Sequence, residues 1–211
     1  FAQPLAGKKL VVGFDDTPVA STTLWAYDFD SSTWSPLVTG VQVWGLAADN
    51  ANGYLYVAAN ANNMWRIPYD TLIPENMGTF TNTSGATLNF VSLAYNATNG
   101  KLYATRNVST AAGAEGLYEI DPATRVATLL YAYNTAYDIG GLDWNPADGE
   151  LYGTNDANNT GLGISPGLVK MELNGTITQI GGVPSFAGDN GTSKDIDGLA
   201  IGDGKAYLVV D

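Results

Sequence analysis

Four oxygen-bearing residues stand at one fixed distance ahead of a recurring leucine. Gln42, Asn89, Asp138 and Asp195 lie four residues before Leu46, Leu93, Leu142 and Leu199, and three residues after them come Gly45, Ser92, Gly141 and Gly198. Two carboxylates and two amides brought to a common centre supply the hard oxygen donors of a Ca²⁺ site, which takes about six to eight oxygens and needs no nitrogen or sulfur. Such an ion would act as a Lewis acid for hydrolysis, with Asp138 or Asp195 as the base. The plainer reading is that polar residues begin a strand where it leaves a loop. Asp197 adds to the acidic end. Asp15 and Asp16 follow a strand at the place where Asn60, Asn107 and Asp156 also stand, either as cation ligands or as loop caps.

Other chemistries are removed by composition. The chain has no histidine and no cysteine, so it has no imidazole base, no thiolate and no zinc site of the usual kind. Twenty-one acidic residues against nine basic ones leave a net charge of −12. That surface repels phosphate backbones and attracts cations, which argues against nucleic acid as a partner. No stretch reaches the about 18–20 apolar residues of a membrane span, and no signal-peptide pattern is present. Phe1 opens the chain without Met, as in a processed or trimmed N-terminus, and a β-rich, cysteine-free composition fits an exported bacterial protein.

The elements that must place these residues come from one phrase repeated four times. It reads VWGLAADNANGYLYVAAN, VSLAYNATNGKLYATRN, GGLDWNPADGELYGTND and DGLAIGDGKAYLVVD. Each copy is a short apolar run, a turn of Asn, Asp and Gly, and a second run centred on Tyr, which is the pattern of an antiparallel hairpin. Further strands are expected at Lys8–Phe14, Leu24–Asp30, Trp34–Gly40, Met64–Tyr69, near Gly78–Thr81, in the run LYEIDPATRVATLLYAY from Leu117, at Leu168–Asn174 and at Ile177–Gly182. The repeated leucines are 47, 49 and 57 residues apart, the longest interval holding polar insertions at Asp156–Gly167 and Ser185–Lys194. Four-stranded units of about 40–50 residues are propeller blades. The expected fold is therefore all-β, one β-propeller domain over residues 1–211 with four to five four-stranded blades. Their limits fall near 8–40, 41–85, 86–135 and 136–184, with a partial unit at 195–211. Helical periodicity is missing. The innermost strands of a propeller line its axis, so Gln42, Asn89, Asp138 and Asp195 would ring the channel mouth.

The pattern GLA-x-D…G-x-LY…LY-x-IDP-x-T, most complete over Ser92–Ala127, resembles the blades of secreted bacterial β-propellers related to the NHL and YWTD groups. The YWTD tetrad itself and the Trp-Asp ending of WD40 blades are absent. The resemblance implies the fold and an extracellular or cell-surface address, and it leaves function open, because propellers host binders, hydrolases and scaffolds alike. The proposed ring resembles in position the axial calcium of propeller lactonases.

Counting strands outward from the axis, the N-terminal unit lacks its innermost strand and the C-terminal unit has only its two inner ones. Three arrangements answer this: closure within the chain, completion by a neighbouring subunit, or a piece of a longer propeller. Unpaired strand edges invite pairing with another chain, so a homo-oligomer or filament is one expectation. Trp25, Trp44, Trp65 and Trp144 are expected between blades, and Trp34 and Tyr69 are the aromatics available to solvent. Asn82, Asn96, Asn107, Asn158, Asn174 and Asn190 begin Asn-x-Ser/Thr sequons. The leading functional expectation is a non-enzymatic, extracellular structural or adhesive propeller that self-assembles through its unmatched strands. Beside it stand a calcium-dependent, lactonase-like hydrolase and a carbohydrate-binding module.

Overall fold

The computed structural model describes residues 5, 7, 9–14, 21–59, 62–133, 136–182 and 196–209. The first sheet is β1 (Lys9–Gly13), β2 (Thr22–Asp28) and β3 (Thr33–Thr39), paired in that order. The second is β4 (Val43–Asp49), β5 (Tyr54–Ala59), β6 (Asn63–Pro68) and β7 (Glu75–Thr79). In the third, β9 (Ser92–Asn96), β10 (Lys101–Arg106), β11 (Gly116–Ile120) and β12 (Val126–Tyr131) run outward, and the short β8 (Thr81–Asn82) joins β12 in parallel. The fourth is β13 (Ile139–Asn145), β14 (Glu150–Asn155), β15 (Gly167–Met171) and β16 (Ile177–Gly182). These sheets are arranged as a four-blade β-propeller. A last hairpin, β17 (Gly198–Gly202) and β18 (Lys205–Val209), forms a sheet of its own beside the fourth blade. All pairings except β8 with β12 are antiparallel. Helix among the described residues is limited to short 3-10 turns, as at Thr160–Leu162.

The repeated turn explains why the phrase folds this way. Gly53, Gly100, Gly149 and Gly204 hold φ values of 73°, 70°, 74° and 71°, the left-handed region that glycine enters without steric cost. In the first three, the glycine N–H donates to the carbonyl of Asp49, Asn96 or Asn145 at 2.9 Å. Those same side chains accept from the backbone inside the turn: Asp49 from Asn52, Asn96 from Thr98 and Asn145 from Ala147. Asn, Asp and Gly therefore fix the hairpin that carries each inner strand to its neighbour.

The apolar side chains bury themselves between blades. Leu24, Val38, Val43, Leu55, Val57 and Ile67 join the first blade to the second. Met64, Phe80, Phe90, Leu93, Leu102 and Tyr118 join the second to the third, and Tyr103, Ile139, Leu142, Leu151, Val169 and Met171 the third to the fourth. Trp144 stacks on Tyr103 at 5.8 Å across that last seam, where the sequence placed it. No residue of β17 or β18 is buried, although the matching strands β9 and β10 are buried along most of their length. Such a repeat is stabilised by its neighbours, and one with a neighbour on a single side is the least stabilised.

The structure moves some boundaries. β2 begins two residues before the expected Leu24, and the expected Gly78–Thr81 strand is split into β7 and β8 at Phe80, whose ring turns into the core. Among the described residues β17 pairs with β18 and not with β1. The expected insertion Ser185–Lys194 lies outside the described residues.

The inner strands approach so closely that side chains are excluded. A Cβ on Gly45 would sit 2.7 Å from the Ser92 carbonyl carbon, and one on Gly141 would sit 2.8 Å from that of Gly198. Gly202, on the open end of β17, has nothing within 4 Å of such an atom. Gly45→Ala and Gly141→Ala should each cost about 1–3 kcal/mol in urea unfolding, as overpacking does, while Gly202→Ala should be close to neutral. Equal costs at all three would show that strand propensity, rather than the contact at the axis, sets the requirement.

Candidate functional site

The inner strands β4, β9, β13 and β17, together with β1 and β18, surround a central cavity of 1370 Å³. Aliphatic side chains such as Leu10, Val12, Leu46 and Leu93 form much of its wall, and Asn107, Asp138, Asp156 and Asp197 add polar groups near the beginnings of β13 and β17. Of the four residues expected to ring the axis, Asp138 lines the cavity. Gln42 and Asn89 are half-buried and are not part of its wall, and Asp195 lies outside the described residues, as do Asp15, Asp16 and Asn60. Among the described residues no three carboxylates are grouped as a metal would need.

The residues that follow β10 and β14 have a definite task. Asn107 donates from Nδ2 to Asp138 Oδ1 at 2.6 Å and to the Ile139 carbonyl at 3.2 Å, and its Oδ1 accepts from the Ile139 N–H at 3.4 Å. The Tyr133 hydroxyl donates to the same Oδ1 at 2.7 Å, which fixes the amide's orientation. Asp156 repeats the device one blade on, accepting from the Ile196 N–H at 2.7 Å. Thr105 and Thr154 complete it by donating to the Ile139 and Ile196 carbonyls at 3.0 and 2.7 Å. These side chains neither cap their own loops nor gather round one point: they clamp the innermost strand of the following blade, satisfying backbone groups that would otherwise be buried unpaired.

The aromatics divide in a way the sequence did not show. Tyr69, expected at the surface, is only 9% exposed and donates its hydroxyl to Asn50 at 2.8 Å, because the turn carrying Asn50 folds over it. Trp34 is 54% exposed and packs on Tyr27 at 5.1 Å. Tyr27 also meets Phe29 at 5.2 Å, and Phe29 meets Tyr207 of β18 at 5.3 Å. That last contact joins the first blade to the terminal hairpin, with no strand pairing between them among the described residues. Of the sequon residues, Asn96 is buried and the amide nitrogens of Asn82 and Asn107 are held by backbone or side-chain oxygens.

Two acidic residues went unnoticed in the sequence. Asp143 occupies the position filled by Ala47, Ala94 and Ala200 in the other copies, and that departure was a usable signal. Glu115, at the end of the loop from β10 to β11, is 6% exposed and had no signal in the sequence. Nearby Arg106 is buried, and its guanidinium donates to the Val108 carbonyl and to Thr110 Oγ1, which folds that loop.

No family model matches the chain, and no curated protein does. Among solved structures it is similar to a structural genomics protein of unknown function from Bacteroides thetaiotaomicron, with 14% identity over 89% of this chain and 51% of that one, at a TM-score of 0.61. TolB from Acinetobacter baumannii follows at 16% identity, 95% and 48% coverage and a TM-score of 0.54. An auxiliary nutrient binding protein from Bacteroides thetaiotaomicron gives 15%, 81%, 43% and 0.52. The chain thus spans about half the length of the structures it resembles. At these identities the likeness is one of fold.

Asp143 also ties the fourth blade to the hairpin. Its Oδ2 accepts from the Ile201 N–H at 2.6 Å and its Oδ1 from the Trp144 N–H at 2.8 Å. Burial pushes its carboxyl up to about 6, and the two N–H donors offset only part of that rise. The folded chain therefore holds a proton that the unfolded chain has already released. Stability from this group is full below about pH 4 and falls as pH rises to about 6, by roughly 3 kcal/mol at most. Carbon-detected titration of the Asp143 carboxyl should give a midpoint near 6. Asp143→Asn should flatten that part of the stability profile, and an unchanged slope would assign it to another group.

Proposed function

We propose that this chain is a non-enzymatic, extracellular β-propeller that serves as a structural or adhesive unit, and that copies of it join through the open edges of β1 and β18. One observation carries the reading: among the described residues, β1 is hydrogen-bonded only to β2, and β18 only to β17. Both strands keep apolar residues half-buried, Leu10 and Val11 on one and Leu208 and Val209 on the other, all on the cavity wall. Backbone groups and apolar area left in this state are satisfied by an added strand. The likeness to auxiliary nutrient binding proteins supports a role in binding rather than catalysis. Light scattering should give a mass that is a multiple of 22.2 kDa for the chain. The double variant Leu10→Lys, Leu208→Lys, with a charge on each edge, should run as a folded monomer. A native chain that stays monomeric at high concentration would end this reading.

A second reading, carbohydrate binding, is favoured by the exposed face of Trp34 beside Phe29. The two rings are held through Tyr27 and bordered by the hydroxyls of Ser31 and Thr33. An ordered aromatic face with hydroxyls at its rim suits a sugar ring, which is apolar on one side and polar at its edge. On this reading cellohexaose or another neutral oligosaccharide should quench Trp34 fluorescence, and Trp34→Ala should abolish the retention of the chain on the matching polysaccharide. Retention that survives Trp34→Ala would place any sugar site elsewhere.

A further inference from the structure

The first blade differs from the other three at its inner end. In those, the second strand lies between two partners: β5 between β4 and β6, β10 between β9 and β11, β14 between β13 and β15. The first blade begins at the equivalent strand, β1, which among the described residues is hydrogen-bonded to β2 alone. Burial follows the pairing. In β5 and β10 five of six residues are buried, whereas in β1 only Val12 is. All of β1, from Lys9 to Gly13, lines the central cavity, so its unpaired edge faces inward, where an innermost strand would lie.

The surroundings of that edge suit an added strand. The Val43 N–H donates to the Phe14 carbonyl at 3.4 Å, which fixes β4 against the end of β1. The wall around it is largely aliphatic, with Leu10, Val12, Leu46 and Leu93. The existing inner strands define what fits. They lie side by side in one direction: Gly140 meets Ile196 and Asp197, and Gly141 meets Gly198 and Leu199. The residue before the repeated leucine is Gly or Ser in every copy, and the residue after it is Ala47, Ala94 or Ala200 in three. Asp138, Asp156 and Asp197 line the cavity where β13 and β17 begin, so a strand running the same way has its N-terminal end at that mouth. Negative potential there favours a positive N-terminus.

We propose that the inner edge of β1 receives an extended apolar segment of another polypeptide. The segment has Gly or Ser, then Leu, then a small residue, and its positive N-terminal end lies at the carboxylate mouth. Main-chain hydrogen bonds to β1 supply the attachment, and the fit of small residues between inner strands supplies the selectivity. A segment matching the five residues of β1 is about 17 Å long at roughly 3.4 Å per residue. The proposal rests on the same open edge of β1 as self-association does, yet it needs only one copy of the chain.

The probe is a synthetic peptide copying the inner strand Val43–Asp49, with a free N-terminus and a fluorescent label at its C-terminus. Titrated with the full chain and followed by anisotropy, it should saturate at one peptide per chain. Amide hydrogen exchange across Lys9–Gly13 should slow about ten-fold or more in the complex, while β3, the other edge of that sheet, stays unchanged. A peptide with Gly45→Val should not bind, because Gly45 in the chain already has the Ser92 backbone against it. A peptide with Leu46→Asp should bind about ten-fold more weakly or worse. Acetylating the N-terminus should weaken binding, and added salt should shrink that difference. Light scattering on the same samples separates this proposal from self-association. A chain that is monomeric throughout yet binds the peptide upholds the strand site alone, and an oligomer that the peptide dissociates upholds it as well. No saturable binding up to about 1 mM, equal binding of the Gly45→Val peptide, or protection on β3 in place of β1 would overturn it.

Discussion

The closeness of successive inner strands is the constraint from which the rest of this structure follows. At the axis the chain carries Gly45, Ser92, Gly141 and Gly198: beside Gly45 and Gly141 the backbone of the next inner strand occupies the space a side chain would need, and beside Gly198 the Val209 side chain does. Once the strands are that close, side chains can reach across the seam, and they do so in one repeated way. Thr105 and Asn107 seize the start of β13, and Thr154 and Asp156 seize Ile196 in front of β17. The apolar clusters lie between blades for the same reason: each sheet has a face that is covered only by the following one. Stability is therefore passed from neighbour to neighbour, and it thins wherever a neighbour is missing.

The sequence revealed this arrangement where a local rule repeats. The left-handed glycine and the Asx side chain before it occur at the same place in copy after copy, so the hairpins could be located to within a residue or two. The small residue at the axis was visible in the same alignment. What could not be read were contacts made by a single copy. Tyr69 looks like a rim aromatic until Asn50, nineteen residues earlier, is found to accept from its hydroxyl. Glu115 lies in a loop with no counterpart elsewhere in the chain, and only the fold buries it. Equal spacing placed Gln42, Asn89 and Asp138 at equivalent points on three strands. It said nothing of which side chain would reach the cavity, and among these three only Asp138 does.

The distribution of charge follows the same division. Lys9 with Asp28 and Lys101 with Asp121 are equivalent ion pairs on the first and third blades, at 2.5 and 2.7 Å. In each, the carboxylate also accepts from two backbone N–H groups of the adjoining turn. The Asp28 carboxyl is held down to about 2, first by Lys9 and then by those N–H groups. Such exposed pairs contribute little to stability, yet they use basic side chains that are already scarce. Arg66 and Lys170 are likewise committed, to Glu75 and Glu150. These four basic side chains are thus committed to carboxylates within their own blades.

The terminal hairpin brings these threads together. β17 touches β13 as every inner strand touches its predecessor, but its other side has no clamp and no apolar cluster among the described residues. Its remaining ties are Thr154 and Asp156 on Ile196, the Asp143 carboxylate on the Ile201 N–H and the Phe29 ring on Tyr207. A segment held by so few buried contacts opens more readily than the blades behind it. One of those ties carries a group whose charged form is disfavoured by burial, so ionisation of Asp143 loosens the hairpin first. The hairpin is therefore held most firmly on the acidic side of pH 6, where the Asp143 carboxyl keeps its proton.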